Sequence, residues 1–445
     1  MSTSRTIRWA KWGVAAAAVL IAAAAGVRLY LLDGWLRTVR IDGASMAPTL
    51  CGAHLTVTCR DCGIGFRCDA EHLPADGELV CPNCGLRGID AGAYPVSAGD
   101  TVLVDRWPLV GRGPRRGVVV AYSDSIAGGM AVKRVAGLPG ERLAIRGGDL
   151  YANDQIVHKS LAELRQVAIL VHDNDHLPKS VAEGDGRVFL RWRPLSPVSS
   201  WEPIAGGFRS GAADGAGERD SLEYAHFRGD ASGIPRDQPS PVFDNDAYNQ
   251  SQTRRLNEVA DLLLSCDVKF PSRGQLILSV RAAGAWLDVA IDAKTGSIAA
   301  SRDGREVGSA ASPRVLAGQS AIVEFGHCDA QLVLGIGGEQ VLALPLDESA
   351  ADSSDRVAEG SPLRIACAGD PMEITHLKVW RDLFLLEPNG TDRDWEMKRS
   401  LSADEFLLLG DNQPVSIDGR HWKAPGLSRT QMRGVVFVPA ASKRR

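Results

Sequence analysis

Two side chains of this sequence are of the right type to do nucleophilic chemistry together. Ser45 lies in the string Gly43-Ala44-Ser45-Met46-Ala47-Pro48, where small neighbours let a substrate backbone come close. A serine hydroxyl is a poor nucleophile until a base takes its proton. Lys133 is flanked by Ala131, Val132, Val135 and Ala136, in a run that reads as a strand ending at Leu138-Pro139-Gly140. Burial disfavours an ammonium, so a lysine in such a strand can be lowered towards neutrality and serve as the base. On its own, Lys133 reads equally well as an exposed strand lysine beside Arg134. The sequence has no G-x-S-x-G elbow and no H-E-x-x-H string. That disfavours a Ser-His-Asp hydrolase and a helix-borne zinc protease.

A second group offers metal ligands. Cys59 and Cys62, then Cys81 and Cys84, form two C-x-x-C-G strings separated by residues 63–80. Pairs of this kind about 15–20 residues apart have the spacing of a tetrahedral zinc site. Four thiolates leave no open position for a catalytic water, so the expected Zn²⁺ is structural and no cofactor is expected for catalysis. Two disulfides are the alternative, and Cys51 and Cys68 are spare thiols nearby. The cysteines total nine, so at least one stays outside any intramolecular disulfide.

Four segments far apart in the chain share one logic. They are residues 41–50 (IDGASMAPTL), 98–105 (AGDTVLVD) with 116–122 (RGVVVAY), 132–141 (VKRVAGLPGE) and 408–422 (LLGDNQPVSIDGRHW). In order and internal spacing they resemble the signature boxes of type I signal peptidase, a membrane-bound Ser/Lys endopeptidase that removes leader peptides. The resemblance covers less than half of the chain. It implies that Ser45 is the nucleophile and Lys133 the general base. It further implies that Ser416 hydrogen-bonds and orients the lysine amine, and that Asp418 and Arg420 form a supporting ion pair. Gly410, Asp411 and Asn412 would shape the loop behind the site, while Gly43, Ala44 and Met46 would lie on the substrate and oxyanion side. Two positions depart from the family pattern. Many Gram-negative members have a hydroxyl residue where this chain has Gly43, so its oxyanion hole would be backbone N–H groups, Ser45's own included. Many relatives also carry a second serine where this chain has Gly419.

These residues need elements to hold them. The chain has 445 residues, room for about two to four domains. Its 44% hydrophobic and 23% charged residues suit a folded chain, and 47 Gly with 23 Pro lean towards turn-rich β structure. The net charge of −4 takes weight from a nucleic-acid partner, which more often binds a basic protein. Arg5, Arg8 and Lys11 precede an uncharged apolar run from Trp12 to Val27. With Arg28 snorkelling, residues 12–32 are long enough for ~30 Å of hydrocarbon, bracketed by Trp9, Trp12, Tyr30 and Trp35. A cleaved signal peptide is the alternative. Basic residues lie on both sides of the run, so charge does not set its orientation.

The expected fold is mainly β. A cytoplasmic tail (1–11) leads into a transmembrane helix (12–32) and a discontinuous catalytic domain with the signal-peptidase β-fold (38–158 and 395–440). A zinc ribbon (51–90) is inserted after the nucleophile. Residues 160–242 read as a linker or irregular insert. Residues 243–382 read as an inserted antiparallel β-sandwich resembling a laminin-G or concanavalin-like jelly roll, with strand-like runs at 262–270, 275–283, 286–291, 296–301, 320–325, 331–335, 340–344, 363–368 and 373–380. That insert is expected to be separable from the peptidase. Together these readings predict a single-pass enzyme of the cell (inner) membrane with its catalytic domain on the extracytoplasmic side. Its partners would be the lipid bilayer and exported preproteins with small residues before the cut. The alternative is a catalytically idle, membrane-anchored scaffold that presents the ribbon and the sandwich.

Overall fold

The computed structural model describes residues 3–28, 34–110, 113–124, 128–179, 190–211, 220–227, 239–282, 284–315, 317–346, 361–388 and 394–438, with the side chains of the first helix described from Trp12. Its alanine-rich start favours helix, and α1 runs Thr3–Val27. Nothing packs on its described face: Trp12 is 70% and Leu20 69% exposed. Residues 29–33 of the expected 12–32 span lie outside the described residues. Among the described residues, no helix is long and apolar enough to cross a membrane.

β-Branched runs then build a seven-stranded sheet. In chain order its strands are β1 (Leu36–Arg40), β2 (Thr101–Asp105), β3 (Val119–Asp124), β4 (Gly129–Gly137), β5 (Glu405–Leu409), β6 (Gly426–Ser428) and β7 (Met432–Phe437). Their spatial order is β1-β2-β7-β3-β4-β5-β6. β3, with the sequence VVAYSD, buries its first four residues. It lies antiparallel to β4 with Val120 opposite Lys133, and β5 joins the other side of β4 with Leu409 opposite Arg134. The candidate base therefore sits between two strands that are distant in sequence. One apolar cluster, including Ile41, Met46, Leu50, Val102 and Val132, lies under the Ser45 loop. A four-stranded sheet beside it pairs Leu143–Arg146 with Trp395–Glu396, the strand that follows the large insert.

The ribbon region is built from Gly65–Asp69, His54–Thr58 and Val96–Ser97 in one sheet and Glu78–Leu79 with Ile89–Asp90 in another. Leu55, Val57, Phe66, Leu79 and Ile89 fill its small core.

The large insert folds as two stacked antiparallel sheets. One orders Glu202–Ile204, Gly207–Arg209, Glu373–Arg381, Leu262–Lys269, Ser320–Cys328, Gln331–Ile336 and Glu339–Pro345, with Ile169–Asp173 also pairing on Glu373–Arg381. The other orders Trp192–Pro194, Ser221–Tyr224, Leu363–Gly369, Gly274–Ala282, Ala285–Asp292, Ser297–Arg302 and Arg305–Ala311. Burial alternates strictly along Ala285–Asp292, as expected for a strand with one face on a core. The inward residues form one cluster that includes Trp192, Tyr224, Phe325 and Ile374.

The expected boundary at residue 243 differs from this arrangement. Within 160–242 the structure contains α2 (Leu161–Val167) and strands between Ile169 and Tyr224 that belong to both sandwich sheets. Those strands are short, and residues 180–189 and 212–219 between them lie outside the described residues. Tertiary pairing rather than local pattern fixes them as strands. α2 is started by Ser160 and Glu163 in a reciprocal capping box and sets Leu161 and Leu164 against Leu263, Cys328 and Val333. Entry and exit of the insert are neighbours: Lys159 Nζ lies 2.9 Å from Asp382 Oδ2 and also pairs with Asp329.

Candidate active site

The Ser45 loop is clamped at both ends by one residue. The Ile41 amide donates to the Asp100 carbonyl, the Asp100 amide to the Cys51 carbonyl, and the Cys51 amide to Asp100 Oδ2, each at 2.9 Å. Arg67 Nη1 holds the same carboxylate at 3.1 Å. Inside the loop, the Ala47 amide donates to Ala44 and the Leu50 amide to Met46, and the Ala47–Pro48 bond is cis. Ser45 itself is half-buried. Gly43 is exposed, and a Cβ added there would meet nothing within 4 Å, so the space beside the nucleophile is open. Met46, expected on the substrate and oxyanion side, has its side chain in the core. It is 1% exposed and packs into the core with Ile41 and Leu50. The alternation of a tight turn turns it inward, which leaves only its backbone to the site.

The loop after β5 closes on this turn. The Asn412 amide donates to the Ser45 carbonyl at 3.1 Å, and Asn412 Nδ2 donates to the Ala44 carbonyl at 3.0 Å. A Cβ on Gly410 would overlap Ser416 Oγ and the Ser45 carbonyl oxygen, so only glycine lets the two chains meet here. Gly419 is equally confined: a Cβ there would press on Leu407 and on the carbonyls of Leu408 and Pro425. That crowding accounts for the absence of a serine at this position.

The charges around Lys133 are arranged by pairs. Lys133 is 4% exposed. Asp418 is engaged by Arg420, with Nε to Oδ1 at 2.8 Å and Nη2 to Oδ2 at 2.7 Å, and both side chains are fully buried. Its Oδ2 also accepts from the Gly410 amide at 2.9 Å and from Ser416 Oγ at 2.8 Å. Asp411 is engaged by Arg134, Nε at 2.8 Å and Nη2 at 2.5 Å. Asp418 and Asp411 thus each already have a guanidinium of their own. Burial pushes the Lys133 amine down to about 8; the charges of Asp418 and Asp411 oppose this and Arg420 reinforces it. Burial pushes Asp418 up, but His421, Arg420 and the Gly410 amide outweigh it and hold the carboxyl well below the usual range. The Ser416 proton is directed at Asp418 rather than at Lys133, which leaves the hydroxyl oxygen as an acceptor.

The two C-x-x-C-G strings adopt the same turn. In each the first cysteine donates to the residue five positions on (Ile64, Leu86), the glycine amide returns to that cysteine's carbonyl, and Gly63 and Gly85 take φ of +75° and +71°. The four sulfurs lie within 4.8 Å of one another, with Cys59–Cys84 and Cys62–Cys81 both at 3.6 Å. Disulfides need about 2.05 Å, whereas four ligands at about 2.3 Å from one tetrahedral ion sit about 3.8 Å apart. The donor set and spacing therefore fit a tetrahedral metal. Cys51 and Cys68 are buried thiols, each pushed up to about 12 chiefly by burial.

Sequence reasoning missed two residues of this site. Asp100, inside the second box, was legible as an acidic residue at a strand start. Asn249 lies in the large insert, outside any box, and had no signal. Its side chain meets Asn412, donating to Oδ1 at 2.6 Å and accepting from Nδ2 at 3.0 Å.

Comparison with known proteins bears on this geometry. No curated protein matches the chain. Among solved structures, a Bacillus subtilis protein of unknown function with a galectin-like fold is 9% identical over 47% of this chain and 94% of its own, at a TM-score of 0.30. The carbohydrate binding module CBM66 from Bacillus subtilis is 10% identical over 42% and 94%, at 0.26. Sheep galectin-11 in complex with glycerol is 12% identical over 32% and 98%, at 0.21. Residues 9–189, the segment that carries Ser45, Lys133 and the four clustered cysteines, match the family described as signal peptidase, peptidase S26.

Proposed function

We propose that this chain is a membrane-anchored serine endopeptidase that removes N-terminal leader peptides from exported preproteins. Ser45 attacks the carbonyl before the cut. Lys133 takes the Ser45 proton and returns it to the leaving amine, and water then hydrolyses the acyl-enzyme. The developing oxyanion faces the open space beside Gly43, where backbone N–H groups including Ser45's own can meet it. Substrates carry small residues, typically alanine, at the first and third positions before the cut.

The observation that carries this reading is the pairing of charges around Lys133. Asp418–Arg420 and Asp411–Arg134 satisfy each other, so a buried amine stands beside them with its pKa lowered to about 8. A lysine kept for structure would be expected to take one of those carboxylates for itself.

The anchor is read from the uncharged apolar run from Trp12 to Val27, whose side chains in α1 are exposed all round. Trp107, next to Trp35 at 5.9 Å between ring centroids, is 59% exposed. A single pass with the catalytic domain on the extracytoplasmic side is the arrangement that would put Ser45 where exported preproteins emerge. A Zn²⁺ on Cys59, Cys62, Cys81 and Cys84 would hold the ribbon together and take no part in catalysis.

The test is to incubate detergent-solubilised protein with a preprotein and compare Ser45→Ala and Lys133→Ala. Loss of cleavage in both, with folding intact, supports the dyad. Normal turnover by either variant rejects it.

A further inference from the structure

We propose that Asn249, supplied by the large insert, is a positioning residue for Ser45. The inference rests on the Ser/Lys reading of the site. Asn249 touches no reacting atom. It acts through Asn412, with which it forms a reciprocal amide pair at 2.6 and 3.0 Å. Asn412 in turn holds the carbonyls of Ala44 and Ser45 through its Nδ2 and its backbone amide. One side chain of the insert therefore fixes the rotamer of the residue that fixes the nucleophile's own peptide units.

The segment that presents Asn249 is anchored on several sides. Asp246 caps a 3₁₀ turn over Ala247–Asn249, its Oδ1 accepting from the Tyr248 amide at 2.7 Å. Tyr248 is 2% exposed and packs against Ala47 and Cys51 of the Ser45 loop. Gln250 brackets Val80 of the ribbon, accepting from its amide at 2.7 Å and donating to its carbonyl at 2.9 Å. Arg381, at the exit of the sandwich, donates to the Asn245 carbonyl at 2.8 Å. The turn is thus wedged between nucleophile loop, ribbon and sandwich. Deleting the insert from residue 243 would therefore remove Asn249 and the wedge with it. An amide pair is directional: a carboxamide carries its donor and its acceptor on two separate atoms, so it can meet both Oδ1 and Nδ2 of Asn412 at once. Misplacing a reacting group slightly has a large effect on rate, because the attack geometry is narrow.

The experiment uses the full-length chain in detergent and a short leader peptide, with kcat and KM measured separately. Asn249→Ala removes both hydrogen bonds of the pair and is expected to lower kcat on the order of tenfold, while KM stays within about twofold. Asn249→Asp keeps the size but sets an oxygen against Asn412 Oδ1, so it should fail to restore kcat and stays informative if the alanine variant folds poorly. The double variant Asn249→Ala/Asn412→Ala should be no slower than Asn412→Ala alone, since both act through one link. The pH profile should be unmoved, because Lys133 is untouched. Unchanged kcat in both Asn249 variants, or multiplicative losses in the double variant, overturns the proposal while leaving the dyad standing. If the wild type cleaves no faster than Ser45→Ala, the reading of the site fails and this inference falls with it.

Discussion

Lys159 and Asp382 meet at 2.9 Å where the chain leaves the peptidase sheets for the sandwich and where it returns. Both are largely buried, and Lys159 also pairs with Asp329 and donates its amide to Asp329 Oδ2 at 3.0 Å. Burial alone would lower the lysine, yet the two carboxylates hold it charged, well above its ordinary value. The contact closes the insert at its neck and fixes how sandwich and catalytic core sit together.

Lys159→Met should therefore destabilise the protein strongly. It leaves two buried carboxylates without their cation, a loss of about 3–5 kcal/mol in comparable buried pairs. Chemical denaturation of the variant against the wild type measures it. A change below about 1 kcal/mol, the range of a surface pair, would show that the neck is not held by this cation.

Lys133→Met should do the opposite. A lysine with a folded pKa of about 8 and an ordinary value of 10.5 weighs against folding at every pH below about 8. That burden fades as pH rises from about 8 to 10.5, because only there does the unfolded state hold the extra proton. The gap corresponds to about 3 kcal/mol at neutral pH. The variant should be inactive and more stable at pH 7, and the gain should shrink towards zero above pH 10.5. Denaturation midpoints at the two pH values decide it; a gain that ignores pH would contradict the lowered amine.

Much of this was legible in the residues themselves. The strings around Ser45, Lys133 and Asp418 carry local chemistry, and the repeated C-x-x-C-G turns carry their own geometry. Most of the sandwich strands from Leu262 to Arg381 show as short strand-like runs separated by turns, and Ala285–Asp292 alternates strictly in burial. Arg305–Ala311 escaped notice because REVGSAA is rich in small residues and forms the mostly exposed edge of its sheet. The strands between Ile169 and Tyr224 were hidden by their shortness. Asn249 was hidden because its role depends on the placement of Asn412 across a gap that no local pattern spans. The inward turn of the Met46 side chain was not legible, because a turn's inward and outward faces cannot be told from its string.

The cysteine cluster gives a prediction independent of catalysis. Purified protein should carry about one Zn²⁺ per chain, and removal by a chelator should expose the thiols of Cys59, Cys62, Cys81 and Cys84 to titration. The ribbon should lose stability on removal. Titration that finds no newly reactive thiols, because the cysteines are joined as disulfides, would exclude the metal.

Gly410→Ala tests the contact between the two loops. The methyl has no room between Ser416 and the Ser45 carbonyl, so the nucleophile turn must shift. Overpacking of this kind destabilises by about 1–3 kcal/mol, and kcat should fall at least on the order of tenfold through misplacement of Ser45. Wild-type kcat in this variant would mean that the loops are free to part without affecting the site.

The measurement that bears most directly on the dyad is the pH dependence of kcat/KM on a short leader peptide, which reports the free enzyme's base. With Lys133 near 8, the rate should rise about tenfold per pH unit on the acid side. It should bend near pH 8 as the amine loses its proton, and stay at background throughout in Ser45→Ala and Lys133→Ala. A profile that is flat from about pH 5 to pH 10, or a Lys133→Ala variant that keeps the wild-type curve, would contradict the assignment of Lys133 as the base.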